Sequence, residues 1–285
     1  MTTVGRQGFV LCADDYGLSH GVCDGIEALI ASGRLSATGA MTIFPEWTER
    51  ANGLRHLADA HEAEIGLHLT LTDQALLTRP FGDARPDIAA MLRRALMGGF
   101  EGQPLEKEIA AQLDRFEDAF AAAPAFIDGH QHVHLLPGVR TALIDQLRLR
   151  YPLDRMPWIR RCGDPVAAIL QRPEARGKGV VLAWFDRGLG ILLRRYGLRG
   201  NAGFRGLYDF TKHRDYAAIF PGFLKPACAG MLVHCHPGIP DATLTNRDGL
   251  VTARASELAY FQSDAFIAAL DAAGLEPRRL QDCGL

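Results

Sequence analysis

Several absences narrow what this chain can be. It contains no run of about twenty apolar residues, so no membrane span is expected. Its six cysteines (Cys12, Cys23, Cys162, Cys228, Cys235 and Cys283) show no Cys-x-x-Cys spacing, a usage that suits a reduced, cytoplasmic protein with buried free thiols. Neither sign of charge dominates. With 31 basic against 33 acidic residues the net charge is −2, which gives no electrostatic case for nucleic acid or an anionic membrane as partner. Met1–Arg6 lacks the charged and apolar regions of a signal peptide. No internal repeat, low-complexity tract or Pro/Ser-rich linker divides the chain, so one domain over residues 1–285 is expected.

What is present reads as an ordinary folded enzyme scaffold, 48% hydrophobic and 22% charged. Short apolar β-rich runs alternate with longer amphipathic segments, the pattern of βα units around a parallel sheet. Strands are expected at Phe9–Cys12, Ala37–Ile43, Glu64–Leu71, Ala125–Asp128, Met156–Arg160, Ala229–Cys235 and Glu276–Leu280. Ser19 can cap a first helix. Helices are expected at Pro45–Ala60, Ile88–Met97, Leu105–Ala121 and Gly138–Tyr151, and as one long helix at Ala253–Ala273. Residues 163–225 resist this parsing and read as an elaborated wall or lid. Basic residues bunch at Arg148–Arg161 and Arg187–Arg205, which we read as solvated faces or a local wall of a substrate groove.

Four polar clusters each close an apolar run: Ala13-Asp14-Asp15-Tyr16-Gly17, Gly66-Leu67-His68, Asp128-Gly129-His130-Gln131-His132-Val133-His134, and His234-Cys235-His236-Pro237-Gly238. Seven of the ten histidines lie in or beside them. An acidic pair and histidines at downstream strand ends are how an α/β-barrel enzyme assembles a metal site on one face.

The chemistry follows from residue type. Of two adjacent carboxylates, Asp14 and Asp15, one can bind a metal while the other, held near that charge, takes a proton from water. His68 faces away from Ile65, Leu67 and Leu69, on the side of Gly66 and Thr70. On an extended chain His130, His132 and His134 would share an inward face, one or two binding metal and the others orienting a ligand or meeting substrate. Asp128 suits an imidazole N–H acceptor. His236 reads as a general acid, with His234 turned the opposite way into packing. A carboxylate with two imidazoles leaves positions open on a divalent ion, the catalytic rather than structural arrangement. Zinc and magnesium are both compatible, as are manganese and cobalt.

These motifs, Ala-Asp-Asp-Tyr-Gly-Leu-Ser (Ala13–Ser19), Ile-Gly-Leu-His-Leu-Thr-Leu-Thr (Ile65–Thr72), Ile-Asp-Gly-His-Gln-His-Val-His (Ile127–His134) and Cys-His-Pro (Cys235–Pro237), resemble in this order those of the YdjC-like carbohydrate deacetylases. That family includes chitooligosaccharide and hopanoid-associated deacetylases. The resemblance implies a distorted TIM-like (β/α) barrel that removes an N-acetyl group from an acetylated amino sugar with one divalent metal ion. It also implies that Asp15, His68 and His130 hold the metal, that Asp14 is the base and His236 the acid, and that Arg160 lies near the site. Two departures stand out: the asparagine usual before Ala-Asp-Asp is Cys12, and another in the following helix is Cys23.

Two further readings stay open from the residues alone. One is a barrel hydrolase acting on a different acyl substrate as amidohydrolase or esterase. Against an amidohydrolase, the first strand ends in Asp-Asp and not His-x-His. The other is a non-catalytic barrel that binds sugar or metal. The sequence also leaves a homodimer open, and names neither the sugar nor its chain length.

Overall fold

A computed structural model describes residues 6–100, 104–172, 174–210 and 215–284. Met1–Gly5 lie outside them, as do 173 and 211–214 of the irregular segment. Among the described residues, eight strands carry the fold: β1 (Gln7–Tyr16), β2 (Ala37–Ala40), β3 (Glu64–Leu69), β4 (Phe126–Gly129), β5 (Trp158–Ile159), β6 (Gly203–Arg205), β7 (Met231–Cys235) and β8 (Leu275–Pro277). They run parallel in the order β5-β4-β3-β2-β1-β7-β6, with β8 also on β1. Every long connection is helical, as parallel pairing requires.

β1 is central because it is buried along its length: Phe9 through Ala13 have no solvent exposure. Its first residues pair with β8 (Gln7↔Leu275), and Val10–Ala13 pair with β7. The sheet closes imperfectly between β5 and β6. There the backbone of Arg199 accepts from Ile159 N–H at 3.0 Å, and the Asn201 side chain stands in for a strand. Its Oδ1 accepts from Arg161 N–H (2.7 Å) and its Nδ2 donates to Arg161 C=O (3.0 Å). The result is a distorted TIM-like barrel within a single α/β domain.

Local signals explain the helices. Ser19 Oγ accepts from Val22 N–H and starts His20–Ala31, as expected. Pro45 opens Pro45–His61, and Leu105–Phe120 buries Ile109, Leu113, Phe116 and Phe120 at helical spacing. Trp47 stacks on Phe116 at 4.7 Å, so it belongs to the core. The long helix expected at Ala253–Ala273 is instead two, Val251–Gln262 and Asp264–Ala273. Ser263 breaks it with an extended backbone (φ −84°, ψ 163°), its hydroxyl turned back onto Tyr260 C=O. Residues 163–225 supply β6 as well as the helices Val166–Leu170, Arg176–Tyr196 and Tyr216–Phe223.

Candidate active site at the downstream strand ends

Each polar cluster sits where its strand ends, all on one face of the barrel. β1 holds register with β2 to Ala13↔Thr38 and then slips before Tyr16↔Ala40. Asp15 takes up the slip in the left-handed region (φ 69°), which an aspartate tolerates better than most residues. The bulge lets both neighbouring carboxylates serve one pocket.

In β3 the alternation places His68 opposite Leu67 and Leu69, facing β4, where it stands level with Asp128. Asp128 Oδ1 lies 2.6 Å from His68 Nδ1, leaving Nε2 to point at Asp15 Oδ1 at 3.2 Å. A carboxylate on one ring nitrogen fixes the tautomer that offers the other to a metal. Gly39 makes room for this pair: a Cβ there would sit 3.0 Å from Asp128 Oδ1 and 3.1 Å from His68 Nδ1. Immediately after β4, His130 brings Nδ1 to 3.0 Å from the same Asp15 oxygen. Asp15, His68 and His130 thus offer three donor atoms within 4.8 Å of one another.

Buried charge sets the state of these groups. Burial opposes ionisation of Asp15, but Arg254 and His130 hold its carboxyl well below the usual range. Burial also disfavours a charged His68, yet Asp128 and Asp15 push its imidazole up to about 10. A carboxylate oxygen ringed by two imidazole nitrogens, one held by Asp128, fits a divalent ion by donor chemistry.

Asp14 faces the same cleft from the other side. Arg160, wholly buried, grips it with both nitrogens: Nη1 to Oδ2 at 2.9 Å and Nη2 to Oδ1 at 2.6 Å. The same Nη2 lies 2.5 Å from Asp128 Oδ2 and 3.0 Å from Cys12 Sγ. Arg160 is therefore a buried positioning cation with no access to a substrate. His236 Nε2 stands 3.9 Å and His234 Nδ1 3.8 Å from Asp14 Oδ2. Burial lowers His236 to about 4 and holds His234 well below the usual imidazole range, so both are neutral near pH 7.

The structure refines four readings. His130–Leu135 is a 3-10 turn and not extended chain, with Gln131 and His132 left-handed (φ 51° and 62°), so the alternate histidines do not share a face. His134 turns away, wholly buried, to place Nε2 3.0 Å from Arg160 C=O; it supports the arginine and cannot meet substrate. His132 lines the cleft but is almost wholly buried against Phe204 and His234. Finally, His234 stacks on Phe204 as packing would have it (4.7 Å), yet its ring still borders the cleft beside Asp14.

The two cysteines that depart from the family pattern also have work. Cys23 Sγ accepts from Gly17 N–H at 3.3 Å, holding the turn after the acidic pair, and Cys12 Sγ accepts from Arg160. Burial keeps the Cys12 thiol neutral.

Sequence reasoning missed Arg254 and Glu257, both wholly buried on Val251–Gln262. Arg254 Nη2 bonds Asp15 Oδ2 at 2.5 Å and is anchored by Asp248. Glu257 accepts from His236 N–H and from Tyr208 Oη, both at 2.5 Å. The signal was available: both share the helix face of Leu258 and Phe261, where a charge would have to be buried.

The cleft over these groups measures about 560 Å³ and is walled by Gln74, Lys178, Phe210, Arg247 and Leu250. A larger cavity of about 800 Å³ lies at the upstream strand ends, beside Glu64, Trp158 and Asn201, and gathers no comparable set of metal-ligating groups among the described residues. Chemistry places the site in the smaller one.

The fold is a parallel α/β barrel, and a carboxylate and two imidazoles that could hold a metal ion converge at its downstream face. The sequence model of the YdjC-like protein family matches residues 8–272, and the chain belongs to that family. It is 28% identical over 258 residues to a carbohydrate deacetylase of Mus musculus, covering 82% of this chain and 79% of that one. It is 26% identical over 284 residues to a chitooligosaccharide deacetylase of Yersinia pestis (strain Pestoides F), covering 96% and 98%. A solved structure from Enterococcus faecalis V583, provisionally assigned to cellobiose-phosphate cleavage, superposes with a TM-score of 0.69 at 20% identity, covering 99% of this chain and 100% of that one. That likeness speaks to the fold alone.

Proposed function

We propose that this protein is a metal-dependent carbohydrate deacetylase that hydrolyses the N-acetyl group of an acetylated amino sugar or oligosaccharide. The observation that carries the reading is the convergence of Asp15, His68 and His130 on one point, with Asp14 and His236 flanking it in one cleft. The names of its relatives support the substrate class. We read residues 1–285 as one deacetylase domain, in which 163–225 form a wall of the cleft through Lys178 and Phe210.

In this reading Asp15, His68 and His130 hold one divalent ion, zinc or magnesium, which when bound activates water and polarises the acetyl carbonyl. Asp14 is the base. Arg160 pins it with its Oδ2 toward the cleft, and a carboxylate oxygen bonded once still has a lone pair for a proton. His236 faces that same oxygen and is neutral at rest. The proton it delivers to the departing nitrogen is then the one Asp14 took from water, so amide and water become acetic acid and free amine, which at neutral pH leave as acetate and the protonated amine. Glu257 holds the His236 backbone from beneath, and Arg254 keeps Asp15 ionised.

The test is acetate release from N-acetylglucosamine oligomers by metal-stripped and metal-restored protein. Release only after restoration supports the reading. Bound metal with no acetate from any oligomer would point to a different acyl substrate. Neither metal nor acetate would favour a binding-only barrel.

A further inference from the structure

Helix Arg176–Tyr196 carries a face that its own fold does not cover. Val180, Val181, Trp184 and Ile191 are 51%, 51%, 60% and 57% exposed. At about 100° per residue, Val180, Trp184 and Ile191 fall within an arc of about 40°. Arg176, Arg187 and Arg194 form an exposed row along one edge of that stripe, and Arg195 flanks the other. The helix has one acidic residue, Asp186, which is buried and paired with Arg161. Just upstream, Glu174 is engaged by the Asp209 amide. The short helix Val166–Leu170, packed against this one, adds exposed Val166 and Leu170. Lys178, near the helix start, lines the catalytic cleft.

We propose that this helix docks the protein on an anionic membrane surface, lying in the interface without spanning it. An apolar stripe bordered by arginines, on a helix with no exposed acid of its own, matches the two attractions such a surface offers. Trp, Val and Ile enter the boundary between headgroups and acyl chains, while long cationic side chains reach back to the phosphates. A second copy of the chain would bring the same arginine row against itself, so charge complementarity favours the lipid. The net charge of −2 hides this, because the cations are gathered on one helix and the acids are elsewhere. Docking does not depend on the identity of the acyl substrate.

The test is co-sedimentation of the full chain with vesicles of phosphatidylcholine alone or with about one-third phosphatidylserine, at low and high salt. Trp47 and Trp158 are buried, so a change in tryptophan emission, and its quenching by brominated lipid, reports Trp184. The expected result is pelleting with the anionic vesicles, weakened by salt, with a blue shift of emission. W184E/I191E and R187E/R194E should each lower partitioning at least tenfold while circular dichroism and thermal melting stay as in the wild type. No pelleting with anionic vesicles at low salt, or pelleting unchanged in both variants, would overturn the proposal. So would a wild-type dimer in light scattering that W184E/I191E makes monomeric while vesicles pellet neither protein.

Discussion

Replacing Glu257 with Gln should flatten the way stability falls as pH rises. Glu257 is wholly buried beneath His236, and burial raises its carboxyl from 4.5 to about 7. The folded-state value lies above the unfolded one, so the direction is set. Well below pH 4.5 both states hold the proton and nothing is lost. Between 4.5 and about 7 the unfolded chain releases it while the folded chain keeps it, so unfolding grows easier with each pH step. Above about 7 both are ionised and the loss is complete. At about 1.4 kcal/mol per unit, the window from about pH 5 to about pH 8 contains roughly 2–3 kcal/mol. Gln cannot ionise and carries no such slope. Urea unfolding of both proteins, with chelator to remove metal, should show the Glu257→Gln variant gaining that amount on the wild type across the window. If the two stability curves run parallel, the buried, raised Glu257 is wrong.

Other outcomes follow from the same geometry. Asp14→Asn should keep metal while turnover drops by roughly 10²–10⁴-fold, since it removes a general base; wild-type-like turnover in a steady-state acetate assay would exclude that role. Arg160→Met takes from buried Asp14 its bidentate cation and from Asp128 one of its two cationic partners, and should cost about 3–5 kcal/mol in chemical denaturation. A loss under about 1 kcal/mol would contradict it, since that is the scale of an exposed pair. All six cysteines are free and only Cys228 is not buried, so a thiol reagent should modify one thiol in native protein and six after unfolding. Rapid native labelling of Cys12 would contradict the packing around Arg160.

The strand-end logic was legible because it depends on local periods. Alternation in β3 puts His68 on the side of Gly66 and Thr70, and the apolar runs before Asp14, Asp128 and His234 are strands. The His130–His134 run was misread because alternation needs extended chain, and two left-handed residues coil this one. The burial of Arg254 and Glu257 was legible from the helix face they share with Leu258 and Phe261, but their partners, Asp15 and the His236 amide, come from tertiary position alone. Arg160 was placed near the site, but its joint hold on Asp14, Asp128 and Cys12 joins residues far apart in sequence, which no local pattern encodes. The break at Ser263 rests on one hydroxyl competing for a carbonyl, too small a signal to read against a continuous helical pattern.

The central claim is that Asp15, His68 and His130, and not the neighbouring group of Asp14, His234 and His236, hold the ion. Metal content after reconstitution and desalting separates the two groups. The account predicts one divalent ion per chain in the wild type, in Asp14→Asn and in His236→Ala, and little or none in His68→Ala and His130→Ala. Metal retained by His68→Ala but lost from His236→Ala would contradict it.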